Sequence, residues 1–190
     1  AGGMFGIYAS NDISGDLSIT STGSVSSATG LGDGIRGDSY GANMLINAHD
    51  TQGENNGILA NAYGTGSVHV VSTGTAIGGV TSGIYVYMAS GTDITIDAAD
   101  TRSADGAGIV VNNYGTGAIR INSIGTANGG SGGILAFNNS GTSTTINAVD
   151  TSGAFGIGVT SNGGPITVTS TGTATGTSSS GISVASFGAG

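Results

Sequence analysis

A Gly-Ile pair returns eight times along this chain, and that recurrence constrains the fold more than any other feature. The pairs are Gly6-Ile7, Gly34-Ile35, Gly57-Ile58, Gly83-Ile84, Gly108-Ile109, Gly133-Ile134, Gly156-Ile157 and Gly181-Ile182. Successive glycines lie 28, 23, 26, 25, 25, 23 and 25 residues apart. A near-constant period of this length marks a tandem array of one supersecondary unit. No interval breaks the series, so residues 1–190 are expected to form one array without a domain boundary. The sequence starts inside an Ala-Gly-Gly stretch and stops at Gly190 partway through a unit, which leads us to expect a portion of a longer repeat protein.

Each unit has three parts. The first is a strand of period two, with Ile35, Ile58, Ile84, Ile109, Ile134 and Ile157 on one face. Two residues on, the same face takes a small or β-branched side chain, such as Gly37, Ala60, Val86, Val111, Ala136 or Val159. This pattern predicts an inward ladder of stacked isoleucines. The second part is a turn, often aromatic-Gly (Tyr40-Gly41, Tyr63-Gly64, Tyr114-Gly115), with Asn139 and Asn162 in the same place in other units. Glycine and asparagine there predict left-handed corners. A second strand follows, alternating at Met44/Ile46, Val68/Val70, Ile94/Ile96 and Ile119/Ile121, and Pro165 opens one such strand. The third part is a polar corner of two kinds in alternation: TSTGS, VSTGT, NSIGT and TSTGT against NAHDT, DAADT and NAVDT. Asp50, Asp100 and Asp150 therefore recur 50 residues apart, so the genetic repeat spans two units.

The predicted fold is all-β, a right-handed parallel β-helix with about 25 residues per rung and about seven rungs. The right hand follows from the handedness of crossovers between parallel strands. At ~4.8 Å per rung the rod would be roughly 34 Å long. Composition agrees: Lys is absent, Glu54 is the single glutamate, and Thr, Ser, Ile, Val and Gly dominate. Collagen is excluded because the 39 glycines do not fall at every third position. The Leu/Asn signature of leucine-rich repeats is missing, and a propeller blade would need about 40 residues.

Charge and residue inventory exclude several function classes. The net charge is −8 and the only basic residues are Arg36, Arg102 and Arg120, so no basic stripe can track phosphates of nucleic acid or anionic lipid. Without cysteine there are neither disulfides nor thiolate metal sites. No apolar run is long enough for this segment to insert in a membrane as a helix. Glycine runs such as Gly129 to Gly133 lack a following helix or Lys, so no cofactor phosphate is expected.

Candidate chemistry is sparse. The alternative is a polysaccharide-binding or polysaccharide-degrading β-helix, tailspike- or lyase-like; the pairs Asp93/Asp97, Asp97/Asp100 and Asp12/Asp16 could suit a glycan hydrolase or lyase, but they recur by repeat position instead of converging. The residues therefore predict a chain without a catalytic centre. One calcium ion cannot join Asp50, Asp100 and Asp150, which two-rung spacing would set about 9.6 Å apart. Carboxylates accepting backbone N–H groups at the corners are the better reading. His49, at a corner, and His69, outward on a second strand, are read as surface residues rather than metal ligands. An ice-binding face would need a regular outward Thr array, and the threonines are irregular. Contact with a partner is suggested instead by Tyr8, Leu59, Tyr85, Val110 and Leu135 beside the isoleucine ladder, with Tyr87 and Phe137 one step further.

The repeated GIxVxxxGxIxVxSTGT, as in GILANAYGTGSVHVVSTGTA and GIGVTSNGGPITVTSTGTA, resembles the passenger region of Gram-negative autotransporter (type V secretion) adhesins and filamentous-haemagglutinin-like exoproteins. The resemblance covers essentially the whole chain. It implies an extracellular β-helical stalk on a bacterial cell surface, carried through the outer membrane by a barrel that this sequence does not contain. Adhesion, aggregation or fibre and biofilm formation would be its role. Its partners would be a host-cell or matrix surface, a glycan, or further copies associating side by side or end to end. The GDSGS motif of protease-type passengers is absent.

Overall fold

The computed structural model describes residues 4–27 and 30–188. The opening Ala-Gly-Gly stretch and Gly190 lie outside them. Among the described residues every element is a strand, and every pairing between strands is parallel. The Gly-Ile strands are β1 (Ile7–Asn11), β3 (Ile35–Ser39), β5 (Asn56–Ala62), β7 (Ser82–Met88), β9 (Ala107–Asn113), β11 (Gly132–Asn138), β13 (Phe155–Ser161) and β16 (Ile182–Ser186). They stack in that order as one sheet. The second sheet stacks β2 (Leu17–Ser26), β4 (Met44–Gly53), β6 (Val68–Gly78), β8 (Ile94–Ser103), β10 (Ile119–Gly129), β12 (Thr144–Gly153) and β14 (Ile166–Ser170), with β15 (Ala174–Gly176) also pairing β12. The molecule is a parallel β-solenoid of about seven turns, as the repeat predicts.

The isoleucine ladder is realised in full. Ile58, Ile84, Ile109, Ile134 and Ile157 are register partners in sequence, Ile35 pairs Ile58, and all six are fully buried. Across the interior stand Met44, Ile46, Ile94, Ile96, Ile119 and Ile121 from the second sheet, equally buried. The small residue two after each isoleucine makes room for that opposite layer. A Cβ on Gly37 would already sit 3.4 Å from the Cδ1 atoms of Ile19 and Ile46.

Two expectations are corrected. The polar corner is not a third, loop-like side: in β2, β4, β6, β8, β10 and β12 it is a bend inside one long strand, and only at residues 171–173, between β14 and β15, does it interrupt the strand. Three residues separate Ser72 from Ala76 where two separate Ala48 from Thr51, and the ladder resumes beyond this shift. The strand then runs on to Gly53 or Gly78, so stretches such as QGENN are mostly strand, leaving only Glu54 and Asn55 between β4 and β5. Threonine and serine are suited to such half-buried strand positions, which explains why the composition looks polar while the backbone is extended.

The corner glycines also serve a different purpose from the one expected. Among the described residues no non-glycine has positive φ, and Gly41, Gly64 and Gly115 are not among the positive-φ glycines. A Cβ on Gly64 would overlap the Gly41 carbonyl oxygen, and one on Gly115 would overlap that of Gly91. Close approach of one rung to the next, rather than a left-handed backbone, demands glycine there.

Candidate functional site

The carboxylates have a common role that begins with parallel stacking. In such a stack, every side chain lies one rung from its counterpart, so a short acceptor can reach the rung above. Eight of the ten aspartates accept a hydrogen bond from a residue 23 to 27 positions further along. Asp50, Asp100 and Asp150 accept the backbone N–H groups of Thr75, Thr126 and Thr173 at 2.9, 2.8 and 2.8 Å. Asp93 takes the Ala118 N–H at 2.7 Å and Asp16 the Asn43 N–H at 3.0 Å. This explains the two-unit repeat. A Cβ on Gly125 would lie 2.6 Å from the Asp100 carboxylate, so an Asp-type corner needs a Gly-type corner above it.

Of the candidate catalytic residues, Asp16, Asp93, Asp97 and Asp100 therefore engage the next rung individually. Asp97 accepts from Asn122 Nδ2 at 2.7 Å and pairs with His69 Nε2 at 2.8 Å. His69 is thus one end of a surface chain that continues from Asn122 to Asn147 (3.0 Å), not an isolated imidazole. His49 meets Thr73 Oγ1 at 3.1 Å and lies 3.6 Å from Asp50. Burial works to raise the Asp97 carboxyl, but the Asn122 and His69 hydrogen bonds and the His69 charge together hold it below the ordinary carboxylate value. The Thr173 N–H and then its hydroxyl lower Asp150, against a smaller effect of burial.

These depressed values fix the sign of a pH effect. A carboxyl bound more tightly as its anion in the folded state adds stability above its unfolded pKa, and that stability is lost as pH falls through the folded value. Thermal melts are expected to hold steady near neutrality and to drop as pH descends through and below the ordinary aspartate range of about 3.9. Asp97→Asn with Asp150→Asn should flatten that descent; an unchanged slope would show that these bonds contribute nothing.

The sequence-predicted contact residues stand on the outer face of the first sheet. Leu59, Tyr85, Val110 and Leu135 are successive register partners in one outward column. Tyr8 belongs to the same column but is separated from Leu59 by Arg36. The adjacent column reads Asp38, Asn61, Tyr87, Asn112, Phe137. Tyr8 and Phe137 are exposed, whereas Leu59, Tyr85, Tyr87, Val110 and Leu135 are half-buried by their neighbours. The columns carry polar anchors as well: Asn112 Nδ2 donates to Tyr85 Oη at 2.8 Å, and Asn61 Nδ2 to Asp38 at 2.8 Å.

One arrangement was not foreseen. Tyr40, Tyr63, Tyr87 and Tyr114 form a ladder over four consecutive rungs, with ring centroids 4.7, 5.9 and 5.8 Å apart. Tyr40, Tyr63 and Tyr114 each follow their ladder isoleucine by five residues. The intervening rung has Ala89 at that place, and Tyr87 supplies the ring from two residues earlier. The five-residue offset was visible in the sequence, but the substitution by Tyr87 was not. Inside the solenoid lies a second unforeseen feature, the buried amides Asn113 and Asn138, joined at 3.1 Å and each accepting a turn N–H at 2.9 Å.

No protein-family model matches the chain, and the searches of curated proteins and of solved structures gave no significant match.

Proposed function

We propose that this chain is a non-enzymatic, extracellular structural and adhesive stalk, a stiff spacer on a bacterial cell surface that meets a partner through the outer face of its Gly-Ile sheet. The observation that carries this reading is the continuous register of that sheet over eight strands, with Leu59, Tyr85, Leu135, Tyr87 and Phe137 aligned along it. A parallel stack in which each rung bonds both neighbours resists bending, which a spacer needs, and an aligned apolar-aromatic strip provides repeated contacts whose weak affinities multiply. The dedication of most aspartates to inter-rung bonds leaves few carboxylates free to act as an acid–base pair, which favours a stalk over a polysaccharide-degrading alternative.

The test is adhesion of beads coated with the chain to cells, to matrix and to each other. Tyr85→Ala/Tyr87→Ala/Phe137→Ala should abolish attachment or clumping while the thermal melt stays cooperative. Attachment equal to that of the unaltered chain would dismiss the strip, and release of reducing sugar from a polysaccharide would replace the stalk with an enzyme.

A further inference from the structure

The outer face of the Gly-Ile sheet differs in charge from the rest of this acidic molecule. Eight strands contribute two outward positions each, and among these sixteen only Arg36 and Asp38 are charged. Those two neutralise each other at 2.9 Å. The other faces carry Asp50, Asp97, Asp100 and Asp150. Burial, then the charge of Asp38, pushes the Tyr63 phenol above its ordinary value, so that ring keeps its proton. Beside that ladder a groove opens, walled by Ile13, Tyr40, Ala42, Tyr63 and Thr65.

Resting on the adhesive reading above, we propose that the partner is a neutral linear polysaccharide laid along the tyrosine ladder and its groove. Neutrality follows from charge: a polyanion would meet the net charge of −8 without any basic row to hold it, and a second copy would bring the same charge. Tyr40, Tyr63 and Tyr114 are 53%, 38% and 51% exposed, offering ring surface and hydroxyl edges together. Tyr40 and Tyr63 lie nearly parallel, at 19°, whereas Tyr87 is tilted 53° and 52° to its neighbours. Aromatic rings flanked by uncharged donors and acceptors suit a polymer whose units have both apolar C–H faces and hydroxyl rims. A ring recurs on four consecutive rungs, and a periodic site gains most from a periodic ligand.

The probes are hydroxyethylcellulose and galactomannan as neutral polymers, and alginate and polygalacturonate as anionic ones, each cast into native affinity gels. Retardation is expected in a neutral polymer, with little change between low and high salt because no ion pairs are screened. Tyr63→Ala should weaken that retardation by about tenfold. Tyr114→Asn guards against misfolding, since Asn139 already occupies the equivalent place one rung on, and it should weaken binding while keeping the melt of the parent. Binding to anionic polymers alone, no binding to either neutral polymer, or retention of full affinity by both variants would overturn the proposal. If the Tyr85/Tyr87/Phe137 variant lost adhesion while no neutral polymer bound the parent, the ligand class would fall and the adhesive reading would stand.

Discussion

Ile109→Asp should unfold the centre of the solenoid, lowering stability by about 3–5 kcal/mol. Ile109 is fully buried and lies in register between Ile84 and Ile134, so a carboxylate there would face dry hydrocarbon from the rungs on both sides. No basic residue stands in that column, whose members are all isoleucine. In a quasi-one-dimensional stack a lost rung also removes the template of its two neighbours, so a central lesion costs more than a terminal one. Ile182→Asp makes the contrast: Ile182 is in the same column, but at the last strand and 44% exposed, and its substitution should cost well under half as much. Ile109→Val, which keeps the hydrocarbon and removes one methylene, should cost about 0.5–1.5 kcal/mol. Urea midpoints of the three variants measure this order. Equal midpoints for Ile109→Asp and the parent would mean that the column does not point inward.

The second large effect is expected at Gly108→Val, about 3 kcal/mol, by a different mechanism. A Cβ on Gly108 would lie 2.7 Å from the Gly133 carbonyl oxygen, 2.9 Å from the Asn128 nitrogen and 2.9 Å from Thr101 Oγ1. Two of those atoms are backbone, the Gly133 oxygen in the next rung and the Asn128 nitrogen in β10, and cannot yield without parting the hydrogen-bonded ladder. The same approach recurs at Gly57, where a Cβ would lie 2.6 Å from Gly83 oxygen, and at Gly133, 2.6 Å from Gly156 oxygen. The glycine of each of the first seven Gly-Ile pairs is thus a spacer between rungs. Gly23 is the control. A Cβ there meets nothing within 4 Å, so Gly23→Ala should be harmless or should add about 0.4–1 kcal/mol by reducing the freedom of the unfolded chain. If Gly108→Val melted like Gly23→Ala, the rungs would have to stand further apart than they do here.

Much of this architecture was legible in the residues because a solenoid converts sequence period directly into spatial period. Ile35, Ile58 and Ile84 recur at near-constant spacing, and stacking places them in contact. The alternation of corner types was legible too, since Asp50, Asp100 and Asp150 fall 50 residues apart. Less could be read about the tyrosines. Tyr87 stands three residues after its ladder isoleucine and Tyr63 five, so sequence offset put them in different columns, yet their side chains meet across rungs. Side-chain length and direction, absent from a periodicity, joined them.

The amino-acid sequence by itself determined the repeat, the inward isoleucine face and the parallel stack, because period-two burial repeated at rung length leaves the chain few other ways to hide its apolar residues. Only the tertiary structure decided that the polar corners are bends within strands, that their glycines yield to neighbouring rungs, and that the aspartates bond upward to the following turn. Those outcomes depend on distances between rungs 23 to 27 residues apart, which the linear pattern orders but does not measure.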